Sequence, residues 1–304
     1  MMPEHIQEKG CGQRRRGDLL KKVGLAVLTL NPGPDWTRWL EALGKQSFRP
    51  ARILDIDSGS VDGSPELSRD EGLEVHRITK EDFGHGKTRQ LAVEILSDVD
   101  IIVFMTQDAI LADSDALMTL VKSLEPSDIG AAFGRQLPRI GANPIETHAR
   151  LFNYPEESRV KSLEDVPELG IKTPFFSNSF AAYKREALME VGGFPDDVNF
   201  AEDVYVSSRL LLKGWKIAYV AESKVYHSHD YSLREEFGRY VQVGRFYGKE
   251  KWIGRAFGKT AVEGKVFVLS ELKFLAVRRF TLIPMAFLRS ILKFIGYHSG
   301  RLVD

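Results

Sequence analysis

Short apolar runs recur along the chain, and each is closed by turn-forming or acidic residues. Residues 23–30 end at Asn31-Pro-Gly-Pro, residues 52–57 at Ser58-Gly-Ser, and residues 100–105 at Thr106-Gln-Asp. Similar runs cover 73–78, 129–133, 175–183, 216–220 and 224–227. Runs bounded in this way read as buried strands. Between them the apolar positions fall at helical spacing, over 36–45 with Asp35 as its N-cap, after Ser64, and over 87–96, 116–124, 185–191 and 202–212. The alternation predicts a Rossmann-like, doubly wound α/β sheet, mostly parallel and flanked by helices, with ligand over the C-terminal ends of its strands. Residues 135–172, rich in Pro, Glu and Arg, read as a long loop with short helices, and the chain from Leu233 onward reads as helical. Trp36, Trp39 and Trp215 read as packing residues.

Composition adds an asymmetry. The 304 residues carry 42 basic and 42 acidic side chains, and 43% are apolar, enough for a substantial core. Residues 251–304 hold ten Lys/Arg against three Asp/Glu, a net of +7, so the rest of the chain carries −7. A basic tail on an acidic body points to an anionic membrane surface, or to self-association as a homo-oligomer. No nucleic-acid motif accompanies the charge, so nucleic acid is not expected as a partner. Residues 280–288 fall short of the roughly 20 apolar residues that span a bilayer. Arg278, Arg279 and Arg289 bracket them, as in a helix lying on a surface. Three regions are expected: a flexible basic arm over 1–22, a catalytic domain over 23–232, and a helical C-terminal region over 233–304. The single cysteine, Cys11, excludes a disulfide framework and a cysteine zinc site. A cytoplasmic protein, peripheral on the membrane's inner face, fits these features.

The candidate chemistry lies at the strand ends. Asp57, with Gly59 behind it, can bind a nucleobase imide or a ribose hydroxyl, or can simply cap a turn; Asp62 is the more structural acid. Gly86-Lys87-Thr88 matches the end of a phosphate loop, but Glu81 stands where that motif needs glycine. His85 or Arg89 can still meet a diphosphate at this helix start. Asp108, after Thr106 and Gln107, can ligate Mg²⁺ or Mn²⁺ or sit free in a loop. Glu202 and Asp203 open a helix, where the helix dipole favours an ionised carboxylate. Asp203 can then act as a general base, with Glu202 structural, or both can be caps. His227 and His229, on one side of an extended segment, can complete a metal site with Asp108 or remain solvated. Ser177 and Asn178 can meet an acceptor or merely end a strand.

Taken in order, Val27–Pro32, Asp57–Ser64, Thr106-Gln-Asp and Gly192-Gly-Phe-Pro with Glu202-Asp203 resemble the family 2 glycosyltransferases, inverting enzymes of GT-A fold. The resemblance covers roughly residues 23–230. Phe83–Arg89, Met105–Ala109, Phe176–Phe180 and Tyr226–Ser232 are similar to bacterial rhamnosyltransferases that use dTDP-L-rhamnose to build surface polysaccharide such as O-antigen. The resemblance implies that Asp57 binds the nucleoside, with Thr29 and Asn31 lining the same pocket. It implies that Arg89 lies beside the base or diphosphate, that Asp108 is the last Asp of an Asp-x-Asp metal motif, and that Asp203 is the catalytic base. His227 or His229 then supplies a late metal or diphosphate ligand. Thr106 replaces the first Asp of the motif, which removes one charge from the metal site.

The expected activity is transfer of rhamnose from a nucleotide sugar to a glycan, lipid-linked in the favoured reading. The alternatives are a UDP-hexose donor on the same fold, since the Asp57 turn does not separate thymine from uracil, and a nucleotide-sugar-binding scaffold without turnover. A Rossmann oxidoreductase is excluded by the lack of Gly-x-Gly-x-x-Gly after the first strand.

Overall fold

The computed structural model describes residues 21–302. The expected arm over 1–22 therefore lies almost wholly outside the described residues. The strands are β1 (Val23–Thr29), β2 (Arg52–Asp57), β3 (Glu74–Arg77), β4 (Ile101–Thr106), β5 (Ile110–Leu111), β6 (Ile129–Leu137), β7 (Arg159–Lys161), β8 (Phe180–Lys184) and β9 (Lys216–Tyr226). The first part of the chain adds helices α1 (Asp35–Gly44), α2 (Ser64–Asp70), α3 (His85–Ile95), α4 (Ala116–Lys122) and α5 (Pro144–Asn153). Then come α6 (Val166–Leu169), α7 (Arg185–Glu190) and α8 (Glu202–Leu212). The C-terminal region is α9 (Leu233–Lys249), α10 (Lys251–Phe257), α11 (Thr260–Arg278) and α12 (Ile283–Arg301).

All strands join one sheet in the order β3-β2-β1-β4-β8-β6-β9-β5, with β7 also on β9. The strands β3, β2, β1 and β4 are parallel, and antiparallel β8 links them to the parallel pair β6 and β9. Register carries the motifs to one edge: Thr29 is opposite Asp57, and Leu28 is opposite Thr106. Alternation along β1 sends Leu25 and Val27 to one face, with Trp36 and Trp39, and Ala26 to the other, with Phe104, Val206 and Leu210. Trp36 and Trp39 are stacked, 4.7 Å between ring centroids, and 1% exposed. Trp215 packs partly buried against the opposite cluster, so all three are packing residues as expected.

Several local readings change. The runs at 216–220 and 224–227 are one strand, β9, whose register on β6 shifts between Gly134 and Arg135. Phe175 and Phe176 belong to a loop; their rings pack on Phe133, and the strand begins only at Phe180. Asp35 is the first residue of α1 rather than its cap, and it binds Arg38 and Arg139. The polar stretch 135–172 contains the end of β6, β7 and the ten-residue α5.

The C-terminal helices begin at a capping box, in which the Ser232 hydroxyl accepts from Glu235 N and the Glu235 carboxylate accepts from Ser232 N. Helix α12 then crosses α9 at backbone contact distance. A Cβ on Gly244 would lie 2.1 Å from Tyr297 O, and one on Gly300 would lie 2.0 Å from Val241 O. Gly238, on the same helix as Gly244, has nothing within 4 Å of its would-be Cβ. Gly238→Ala should therefore raise unfolding free energy by about 1 kcal/mol from helix propensity. Gly244→Ala should lower it by about 1–3 kcal/mol through overpacking. Urea denaturation of the two variants checks the pair.

Candidate active site

Asp203 lies at the start of α8, directly after Ala201 and Glu202; Ala201 is held in the left-handed region at φ 58° and ψ 32°. A non-glycine residue there is a local strain. Beside Asp203, Glu202 is 4% exposed and bonds Arg89 at 2.8 Å. Arg89 reaches it from α3, whose first turn is pressed against the loop before α8. A Cβ on Gly86 would lie 2.0 Å from Pro195 O, so glycine is required there for packing. That contact accounts for the glycine-rich start of α3 without a phosphate loop.

Asn178 joins the two acids. Its side-chain amide donates to Glu202 Oε1 at 3.0 Å, its backbone N–H donates to Asp203 Oδ2 at 3.1 Å, and its Oδ1 accepts from the Tyr183 hydroxyl at 2.7 Å. Burial opposes ionisation of Glu202, but the charge of Arg89, then that of His85, holds its pKa below the usual value. Burial pushes Asp203 the other way, and the adjacent Glu202 charge adds to it, raising Asp203 to about 7. The helix dipole led to the expectation of a fully ionised Asp203. Desolvation and the neighbouring carboxylate outweigh it.

The second cluster is Asp108, His227 and His229, whose ligating atoms all lie within 4.8 Å of one another. His227 Nε2 is 3.3 Å from Asp108 Oδ1, and His229 Nδ1 is 3.5 Å from Asp108 Oδ2. Gln136 settles the tautomer of His227. Arg150, which can only donate, bonds Gln136 Oε1 at 2.5 Å, while Gln136 Nε2 donates to Ser177 Oγ at 2.8 Å. The His227 Nδ1–H therefore donates to that same Oε1 at 2.8 Å, which leaves Nε2 bare toward Asp108. Burial lowers the pKa of both histidines, that of His229 to about 3, so both are neutral near pH 7. Two neutral imidazoles facing a carboxylate fit a divalent cation. A cleft of about 370 Å³ opens beside this cluster, lined in part by Gln107, Arg139, Asp230 and Tyr231.

Other expected ligand contacts are engaged elsewhere. Thr29 is buried and its hydroxyl donates to Asp55 at 2.7 Å, so it faces the interior rather than a nucleoside. Asp57 is fully buried, accepting from Ser60 N–H at 3.0 Å and from Arg77 Nε at 3.1 Å. A base can reach it only if Arg77 moves. Asn31 binds Val61 N–H, and the Gln107 amide pairs with both backbone groups of Leu30, so these two stitch loops together. Arg89 is the buried partner of Glu202 and not a free diphosphate ligand; His85 sits against its guanidinium at 3.4 Å. Asn178 bonds both acids. Gly59, at φ 93°, is exposed in the turn as expected, and Thr106 ends β4 beside Asp108. Asp62 is structural, accepting from Gly33 N–H and from Ser64. Sequence reading missed Gln136, Arg139 and Arg150, which carry no motif.

Residues 26–192 match the family described as Glycosyl transferase family 2. The chain belongs to that family. It is 46% identical over 281 residues to the O-antigen chain rhamnosyltransferase RfbN of Salmonella typhimurium, a match covering 92% of this chain and 90% of that protein. It is 41% identical to the O-antigen chain rhamnosyltransferase WbaN of Salmonella anatum, covering 91% and 88%. Among solved structures it resembles the mannosyltransferase PcManGT of Pyrobaculum calidifontis, in complex with GDP-Man and Mn²⁺. That likeness has a TM-score of 0.63 at 18% identity and covers 93% and 90% of the two chains. The GT-A fold expected from the motifs therefore holds, and the chain is a glycosyltransferase. The family match stops before Glu202, so Asp203 and both histidines lie beyond it.

Arg89→Met should leave the buried Glu202 charge without its cation, with the Asn178 amide still bonded to it, and cost about 3–5 kcal/mol of stability, read by urea denaturation. Gln136→Leu frees the His227 ring and should weaken Mn²⁺ binding about 10–100-fold by calorimetry, with the fold intact.

Proposed function

We propose that this glycosyltransferase moves L-rhamnose from dTDP-L-rhamnose to a hydroxyl of a lipid-linked glycan during O-antigen assembly, on the cytoplasmic side of the membrane. The reaction rests chiefly on Asp203, a partly buried carboxyl in the first turn of α8, held by the Asn178 backbone N–H and with a proton affinity near neutrality. The sugar rests on the likeness to two O-antigen rhamnosyltransferases along nine-tenths of the chain.

In this reading the acceptor hydroxyl gives its proton to Asp203 as its oxygen bonds to the anomeric carbon. The bond from that carbon to the diphosphate oxygen breaks on the opposite face, and dTDP leaves with the electron pair. A β-linked donor then yields an α-rhamnoside. Asp108, His227 and His229 would hold a divalent cation that supplies positive charge to the leaving diphosphate. Glu202 raises the basicity of Asp203, and Arg89 keeps Glu202 charged. Asn178, through its backbone N–H, orients the Asp203 carboxylate. A base with a pKa near the working pH combines availability with driving force.

Three outcomes follow. Asp203→Asn should lower transfer by about 10²–10⁴-fold while dTDP still raises the melting temperature; loss of dTDP binding as well would remove Asp203 from the base role. The wild-type rate should rise with pH through about 7 as Asp203 loses its proton, and Glu202→Gln should move that limb to lower pH. Among donors, dTDP-L-rhamnose should be used in preference to UDP-hexoses. Selective use of a UDP-hexose would retain the transferase and change the sugar.

A further inference from the structure

Helix α12 is turned inside out. Its charged residues Arg289 and Lys293 face the protein, 16% and 14% exposed at the side chain, and bond Glu236 of α9 at 3.3 and 2.9 Å, while Arg301 at its C-terminal end is exposed. Gly296 and Gly300 lie on the same inward face, against the backbone of α9. The outward face carries Phe287 at 58%, Ile291 at 41%, Phe294 at 64% and Ile295 at 47% exposure. Val277 at the end of α11 and Phe280 in the turn that leads into α12 are also exposed apolar residues. An amphipathic helix on a water-facing surface has the reverse arrangement. A contiguous exposed apolar patch marks an interaction site.

The charge around the patch selects the occupant. Lys265, Lys273 and Arg278 of the preceding helix α11, and Arg279 just after it, are exposed. The acidic residues between 259 and 302 are Glu263, which bonds Lys172, and Glu271, which is 1% exposed. The outward charge of the region is thus positive. Apolar and aromatic side chains within a cationic rim match the interface of an anionic bilayer. A second copy meeting this face about a twofold axis would oppose like charges. The segment Phe280–Arg301 is long and apolar enough to cross a membrane. Crossing, however, would strip Arg289 and Lys293 from Glu236 and put both cations into hydrocarbon, so the helix lies in the plane.

The same helix reaches the active site. Arg289 donates to Tyr231 O at 2.9 Å, and the Tyr231 ring stacks on His229 at 4.8 Å between centroids. We propose that the outward face of α12, with Val277 and Phe280, seats the enzyme in the headgroup region of an anionic membrane, and that Arg289 ties the cleft to that seat. The cleft then meets an acceptor glycan presented from the bilayer surface. This goes beyond the donor assignment and does not depend on it.

The test is sedimentation of the full-length protein with vesicles of phosphatidylcholine alone or mixed with phosphatidylglycerol. Binding should require the anionic lipid. Lys273→Gln/Arg278→Gln/Arg279→Gln should weaken it by roughly a hundredfold, about one kcal/mol per cation. Phe287→Ser/Phe294→Ser should weaken it at least roughly tenfold through lost apolar burial, with the melting temperature and its rise with dTDP retained. As a check that does not need those variants to fold, Phe294→Trp should gain a blue-shifted emission that brominated lipid quenches. A wild-type protein that stays in the supernatant would overturn the proposal. So would an emission gained in the Phe294→Trp variant that brominated lipid leaves untouched. Retention after alkaline carbonate would overturn the in-plane seat in favour of a spanning helix. A dimer abolished by the serine pair, with no vesicle binding, would assign the face to a second copy. Each readout needs no donor or acceptor, so failure here leaves the transferase reading standing.

Discussion

The Arg89–Glu202 pair is the constraint on which the active site is built. Two charges with 4% and 6% side-chain exposure are costly to desolvate, and such a pair seldom repays that cost in stability alone. Its effect here is positional and electrostatic. It fixes α3 to the first turn of α8, and it holds a permanent negative charge one residue from Asp203. The raised proton affinity of Asp203 follows from that neighbour together with burial. Gly86 allows the approach, because its backbone meets Pro195 O at a distance no side chain would permit. The strained Ala201 sits at the junction, as expected where surrounding structure over-determines a functional turn.

A separate network orders the Asp108, His227 and His229 cluster. Arg150 fixes the Gln136 amide, Gln136 fixes the His227 ring, and the ring presents a bare nitrogen to Asp108. Ser177 receives the other end of the same amide, and its neighbour Asn178 holds Glu202 and Asp203. The loop before β8 therefore joins the Glu202–Asp203 pair and the histidine cluster into one site. Thr106 in place of an acid leaves one carboxylate in that cluster, and two neutral imidazoles make up the donor set.

The parallel half of the sheet was legible because buried strands need continuous apolar runs and their ends need turn residues. Asp108, Asp203, His227 and His229 were legible because strand and helix ends gather at one edge. The failures have physical causes. Strands β5 and β7 span two and three residues, too short for any period to register. Thr29, Asp57 and Arg89 match ligand-binding patterns, and each also has an internal partner that local sequence does not reveal. Gln136 and Arg150 matter through contacts between β6, α5 and the end of β9, which are distant in sequence. The inverted polarity of α12 was invisible because its period is that of any amphipathic helix; Glu236 and the close backbone contacts at Gly296 and Gly300, both made with α9, decide which face turns inward.

The central claim is that burial and a neighbouring carboxylate, held charged by Arg89, make Asp203 a base tuned to neutrality. The direct measurement is a pH titration of its carboxyl stretch by infrared difference spectroscopy of wild type against Asp203→Asn. The account predicts a band titrating near pH 7 that is absent from the variant. A midpoint near 4, the value of an ordinary solvated aspartate, would contradict it.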